Sequence, residues 1–234
     1  MLTALIDSVE QKKAQLDRAR PLSVAGLAQL QKHYDIELTY TSNAIEGNTL
    51  TLRETAEVID GGKSLRDHLE AVDHYEAVQW MRELAARTAP IGESTVSELR
   101  RRIVARSQPG FAGIYSQLPR RIAGSPVVFP NPAKIAALME EFGAWLNAAP
   151  PDPATVFEAH FRLTELQPFG DGNGRTARLL MNLLLVRGGY PPLPCGHKTA
   201  KPISTRWSVA RSPGICGRSR ISCMSGWTRP WRSI

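Results

Sequence analysis

Three glycines in five residues, Gly170, Gly172 and Gly174, interleaved with Asp171 and Asn173, separate two stretches of helical periodicity. The first runs from Ala154 to about Gln167, where Pro168 disfavours helical geometry in the residue before it. The second, Asn173–Arg187, begins at once, with Arg175 and Arg178 in its first turn. Such a loop lets backbone N–H groups converge at a helix N-terminus, where the helix dipole favours negative charge. Cations are disfavoured in a first turn. Two arginines at i and i+3 share a face, and they make sense if a polyphosphate covers that end. Asp171 is placed to hold Mg²⁺ beside the phosphates. Two other glycine-rich motifs are excluded, since a P-loop needs Lys-Ser/Thr after its last glycine and a dinucleotide loop needs a preceding strand. A plain interhelical turn with surface arginines is the alternative. Asp171, Asn173 and two first-turn arginines together weigh against it.

Helical periodicity dominates the rest of the chain. Leu5, Val9 and Leu16 share one side of an N-terminal helix that ends near Pro21. A second helix is expected from about Leu22 to Glu46, with Leu27, Leu30, Tyr34 and Leu38 on one face and Gly47-Asn48 as its stop. Thr51-x-x-Glu54 is a capping-box pattern, so a helix should start there and run to Gly61-Gly62. Residues 66–87, 95–106 and 133–148 read as further amphipathic helices. The span 108–132 carries closely spaced breakers and the β-favouring Pro126-Val-Val-Phe-Pro, which predicts a loop with a short hairpin. The expectation is a mainly α fold in three parts: a helical region at 1–89, a core domain at 90–194 and an atypical tail at 195–234.

Net charge is +7 over 234 residues, which at face value suggests an anionic partner. The tail from Cys195 to Ile234 holds two Lys, six Arg and no acid, so residues 1–194 carry about −1. The charge therefore says nothing about the folded body, and no nucleic-acid partner is expected. All three cysteines, Cys195, Cys216 and Cys223, also lie in the tail and lack metal-type spacing. The opening residues do not read as a secretion signal, and the apolar run Leu179–Val186 is far below the roughly 18 residues of a membrane span. A cytoplasmic location without membrane attachment is the expectation.

The segment from Gln167 to Arg178 resembles the Fic family signature HxFx(D/E)GNGRxxR, matching every fixed position except the first. The likeness extends over about residues 20–194. It implies a Fic-type helical bundle with a small β-hairpin flap, and transfer of AMP from ATP to a Ser, Thr or Tyr hydroxyl of a protein. By that resemblance Phe169 packs in the core, Asp171 binds Mg²⁺, and Gly172, Asn173 and Gly174 form the anion hole. Arg175 and Arg178 hold the β- and γ-phosphates. The hairpin near Arg121–Phe129 registers the target, and a homodimer is a further candidate assembly. Family members continue past residue 194 with an Arg-Pro-Glu-Asp-Arg-like stretch and an amphipathic helix. A one-base shift in a back-translation of residues 195–234 restores such a pattern, so the tail reads as a frameshift.

Gln167 stands where the family has its general-base histidine. A glutamine amide accepts a hydrogen bond but is not basic near pH 7, and loss of a general base costs about 10²–10⁴ in rate. His160, two turns or about 10 Å earlier on the same helix, is too far to replace it and is expected to pack as a core histidine. Thr41–Asn48 resembles the family's inhibitory motif (S/T)xxxE(G/N), with Ser42, Glu46 and Gly47 in the fixed positions. Glu46 paired with Arg178 would take the place of the γ-phosphate. Together these residues imply an autoinhibited adenylyltransferase impaired by Gln167. An ATP-binding pseudoenzyme or a de-AMPylating enzyme are the alternatives.

Overall fold

The computed structural model describes residues 2–18, 24–60, 66–111, 113–119, 129–150 and 152–195. Among them are eight α-helices: α1 (Leu2–Arg18), α2 (Val24–Ile45), α3 (Leu52–Ile59), α4 (Arg66–Ala85), α5 (Glu93–Ile103), α6 (Ile135–Ala148), α7 (Pro153–Leu166) and α8 (Asn173–Arg187). The starts of two of them follow directly from sequence. Thr51 and Glu54 form the capping box at α3, with Glu54 N donating to Thr51 Oγ1 at 3.2 Å and Thr51 N to Glu54 Oε2 at 2.8 Å. At α7, Asp152 Oδ1 accepts from Thr155 N at 2.7 Å and Pro153 fills the first helical position, where its missing N–H costs nothing.

Helix α8 is buried on nearly all sides and packs against α2, α4, α5 and α7. A helix with that environment is the axis of its domain. Leu179, Leu180 and Leu183 meet Leu38 of α2, Val78 and Met81 of α4, Leu99 and Ile103 of α5, Phe142 of α6 and Leu163 of α7 in one core. The core thus runs without a break across residue 89. A second cluster, with Val9, Phe157, Met181, Leu185 and Tyr190, fixes α1 to the far end of α7 and α8.

Two buried acids reinforce this packing. Asp35 of α2 accepts from Gln79 Nε2 at 2.6 Å and pairs with Arg82 of α4. Burial raises the Asp35 pKa in spite of the arginine, so the pair aligns the helices at an electrostatic cost. Asp73 of α4, fully buried, accepts from Arg106 N at 2.9 Å, Ser107 N at 2.9 Å and Arg106 Nη1 at 3.1 Å. It pins the turn that follows α5.

The apolar face expected on α2 from Leu27 onward is only half realised. Val24 is 88% and Leu27 44% exposed, and burial begins at Asp35, because the first turns of α2 extend past the helices it packs on. Among the described residues there is no strand; the strand-like pairing present is an antiparallel bridge between Tyr115 and Phe169. Of the hairpin expected near Arg121–Phe129, all but Phe129 lies outside the described residues, as does the tail beyond Cys195.

Candidate functional site

The loop between α7 and α8 is held open from beneath. Helix α7 ends at Gln167, whose backbone is left-handed (φ 45°, ψ 51°), a conformation costing roughly 1–2 kcal/mol for a residue with a side chain. Its side-chain Nε2 donates to Thr164 O at 3.1 Å, which caps its own helix. Phe169 is fully buried, stacked on Tyr115 with ring centroids 5.7 Å apart. Ser116 N donates to Pro168 O at 2.8 Å and ties the loop to the chain that leads toward residue 120.

Asn173 closes the loop with its side chain. Oδ1 accepts from Phe169 N at 2.9 Å and Nδ2 donates to Phe169 O at 2.7 Å. With the side chain engaged in this way, what Asn173 can offer an anion is its backbone N–H. The first N–H groups of α8 have no acceptor within the helix and point toward its open end. Gly172 is left-handed (φ 73°), and a Cβ there would lie 3.2 Å from Nε of Arg100, so only glycine lets the loop close over that side chain.

Asp171 sits at the rim, its side chain 43% exposed. Its Oδ1 accepts from Gly172 N at 2.6 Å, and its Oδ2 accepts from Gln108 Nε2 at 2.6 Å and pairs with Arg175 Nη2 at 3.3 Å. Burial raises its pKa, but Arg175, Gln108 and the Gly172 amide together hold it below the usual carboxylate value. Arg100 of α5, fully buried, donates from Nε to Asp171 O at 2.6 Å and lies 5.7 Å over the Phe169 ring.

The two arginines differ, and only Arg175 lies in the first turn of α8; Arg178, its sixth residue, lies in the second. Arg175 is 2% exposed, points inward to Asp171, and keeps Nε and Nη1 without partners in the structure. Arg178 reaches α2: Nε donates to Ser42 Oγ at 3.0 Å, and Nη2 to Ser42 O at 3.0 Å and Glu46 Oε1 at 2.7 Å. Gly47 (φ 95°) ends α2 and turns the chain so that Glu46 lies over the start of α8. A carboxylate at a helix C-terminus opposes the dipole of its own helix; here it faces the N-terminus of another. A Cβ on Gly174 would fall on Glu46 Oε1 and lie 3.0 Å from Arg178 Nη1. The Glu46 carboxylate therefore lies against the start of α8, beside Gly174 and Arg178.

Two histidines line the inner side of this cluster. His74 is buried, with Nδ1 3.4 Å from Thr39 Oγ1; burial, then Arg175 and Arg178, hold its pKa well below the usual value. His160 is half-buried, and burial followed by Arg178 lowers it to about 4. Both are neutral at pH 7. Gln108, Arg100 and His74 carry no signal in the sequence, since none belongs to a motif and their interactions join segments 35 to 104 residues apart in the chain.

Residues 90–185 match the model of the Fic/DOC family. Those residues form a Fic/DOC domain. A relative from Drosophila grimshawi, named protein adenylyltransferase Fic, is 34% identical over 197 residues, covering 80% of this chain and 40% of the relative. One of the same name from Nematostella vectensis is 32% identical over 199 residues, covering 81% and 46%. The chain thus spans less than half the length of these curated relatives. Among solved structures, Fic-1 from C. elegans superposes with a TM-score of 0.80 at 26% identity, covering 96% of this chain and 68% of that one. A Fic domain containing signaling protein from Bacteroides thetaiotaomicron gives 0.77 at 24%, covering 94% and 90%, a likeness of fold. The mainly α Fic fold expected from sequence is the fold observed. Among the described residues no helix is long and apolar enough to cross a membrane.

Proposed function

We propose that this chain is a Fic-type protein adenylyltransferase that moves AMP from ATP to a protein hydroxyl and is held back by Glu46. The observation that carries the reading is the Glu46 carboxylate on Arg178, 2.7 Å from Nη2, above Gly174 at the start of α8. An arginine and a glycine at a helix N-terminus, gathered around one carboxylate, are the parts an anion site uses. With Glu46 withdrawn, Arg178 and the α8 N-terminus would face the terminal phosphates of ATP.

In the reaction, the target hydroxyl oxygen bonds to the α-phosphorus, the bond from that phosphorus to pyrophosphate breaks, and the hydroxyl proton leaves. Gln167 cannot take that proton, so transfer is slow for this chain as it stands. Asp171 suits Mg²⁺, which is held by one or two carboxylates together with substrate phosphates, and its side chain is 43% exposed. Bound there, the ion would offset charge on the phosphate oxygens. The segment Arg121–Phe129 is read as the place where the target docks. A cytoplasmic setting, suggested by a body without cysteine before residue 195, belongs to the same reading.

A second reading, an ATP-binding pseudoenzyme, draws on the Gln167 side chain, which bonds Thr164 O of its own helix. Incubation with α-labelled ATP separates the two. Label on protein from the Glu46→Gly chain supports transfer. ATP binding without label, even with Gln167→His added, supports the pseudoenzyme.

A further inference from the structure

We propose that Gln108 is the positioning residue for the metal-binding carboxylate, fixing the Asp171 side chain so that one lone pair of Oδ1 is left open for a metal ion. The inference rests on the reading of Asp171 as the Mg²⁺ ligand. A carboxylate offers about four acceptor sites, two on each oxygen. On Oδ2 both are taken, by Gln108 Nε2 at 2.6 Å and Arg175 Nη2 at 3.3 Å. On Oδ1 one is taken, by Gly172 N at 2.6 Å. The remaining site, on a side chain 43% exposed, is the one left for a cation.

Of the two donors on Oδ2, Gln108 is nearer and approaches from another element. It follows the turn after α5, and the buried Asp73 clamps that turn through Arg106 N and Ser107 N, both at 2.9 Å. Arg100 fixes the Asp171 carbonyl from the same helix, at 2.6 Å. Asp171 is thus held by main chain and side chain against one rigid body. A neutral amide suits this task. It orients the carboxylate without adding positive charge, whereas a lysine or arginine at 108 would compete with the metal. The carboxylate acceptor also decides the amide orientation, since only the NH₂ of Gln108 can face it.

Loss of such an outer partner typically lowers metal affinity about 10–100-fold. The test uses the full chain with Glu46→Gly, with and without Gln108→Met, and measures ATP affinity by calorimetry across a Mg²⁺ titration and in EDTA. The Mg²⁺ concentration giving half of the metal-dependent gain should rise about tenfold or more in the Gln108 variant. ATP affinity in EDTA should stay within about twofold, which shows that the site has remained folded. Equal losses with and without metal, or an unchanged Mg²⁺ midpoint, overturn the role of Gln108. If the Glu46→Gly chain binds no ATP under any condition, the adenylyltransferase reading fails and this inference goes with it.

Discussion

Replacing Glu46 by glycine should tighten ATP binding about tenfold. The carboxylate makes one charge-assisted bond to Arg178, 2.7 Å long, between side chains 32% and 11% exposed. Hydrogen bonds to charged groups contribute about 1.5–3 kcal/mol. The opposing dipole of α2 removes roughly 0.3–1 kcal/mol of that. The difference, on the order of 1–2 kcal/mol, corresponds to an open fraction of roughly one tenth, and apparent affinity falls by that fraction. Glu46→Gln keeps the side-chain length and a neutral hydrogen bond, so it should recover about half of the gain in free energy. Calorimetric titration with ATP and Mg²⁺ gives the dissociation constants directly. An affinity unchanged within about threefold in Glu46→Gly would show that Glu46 does not occupy the ligand's place. A further variant tests the location. Gly174→Ala in the Glu46→Gly background puts a methyl where the carboxylate stood, and ATP binding should weaken again. Retained affinity there would place the phosphates elsewhere.

Other outcomes follow from the same contacts. Gln167→His in the Glu46→Gly chain should raise AMP transfer by about 10²–10⁴ under an α-labelled ATP assay, and no change would remove the missing base as the cause of slow turnover. Asp73→Ala leaves the Arg106 and Ser107 amides without their acceptor inside the fold, so urea unfolding should show a loss of about 2–4 kcal/mol. His160 is neutral in the fold down to about pH 4 but charges near 6.5 when unfolded. The unfolded chain therefore binds more protons in that window, and stability present above pH 6.5 is lost as the pH falls toward 4. The urea midpoint should drop between pH 7 and pH 5, with His160 contributing on the order of 1–2 kcal/mol. His160→Gln should shallow that drop, and an identical pH profile for both proteins would argue against the assignment.

The helices were legible because their signals are local. The Thr51/Glu54 box starts α3 where the pattern predicts, and Asn173–Arg187 is helical over the full expected span. The glycine loop was legible for the same reason: its turn, its following helix and its two arginines lie within a few residues of each other. The extent of burial was less so. Leu27 fits the apolar face of α2 by spacing, yet it is exposed, because spacing does not tell how far a neighbouring helix reaches.

Sequence by itself determined a helical chain with a glycine-rich loop at Gly170–Gly174 that opens a helix carrying Arg175 and Arg178. The fold decided how those residues share the work. It turned Arg175 inward to Asp171, left Arg178 to face Glu46, and engaged the Asn173 side chain with Phe169. It also brought in Gln108, Arg100 and Asp73, none of which belongs to a motif. Capping and periodicity act over three or four residues and are written in the chain. Which donor meets which acceptor across 63 residues, as for Gln108 and Asp171, depends on helix packing, and only the assembled core fixes that.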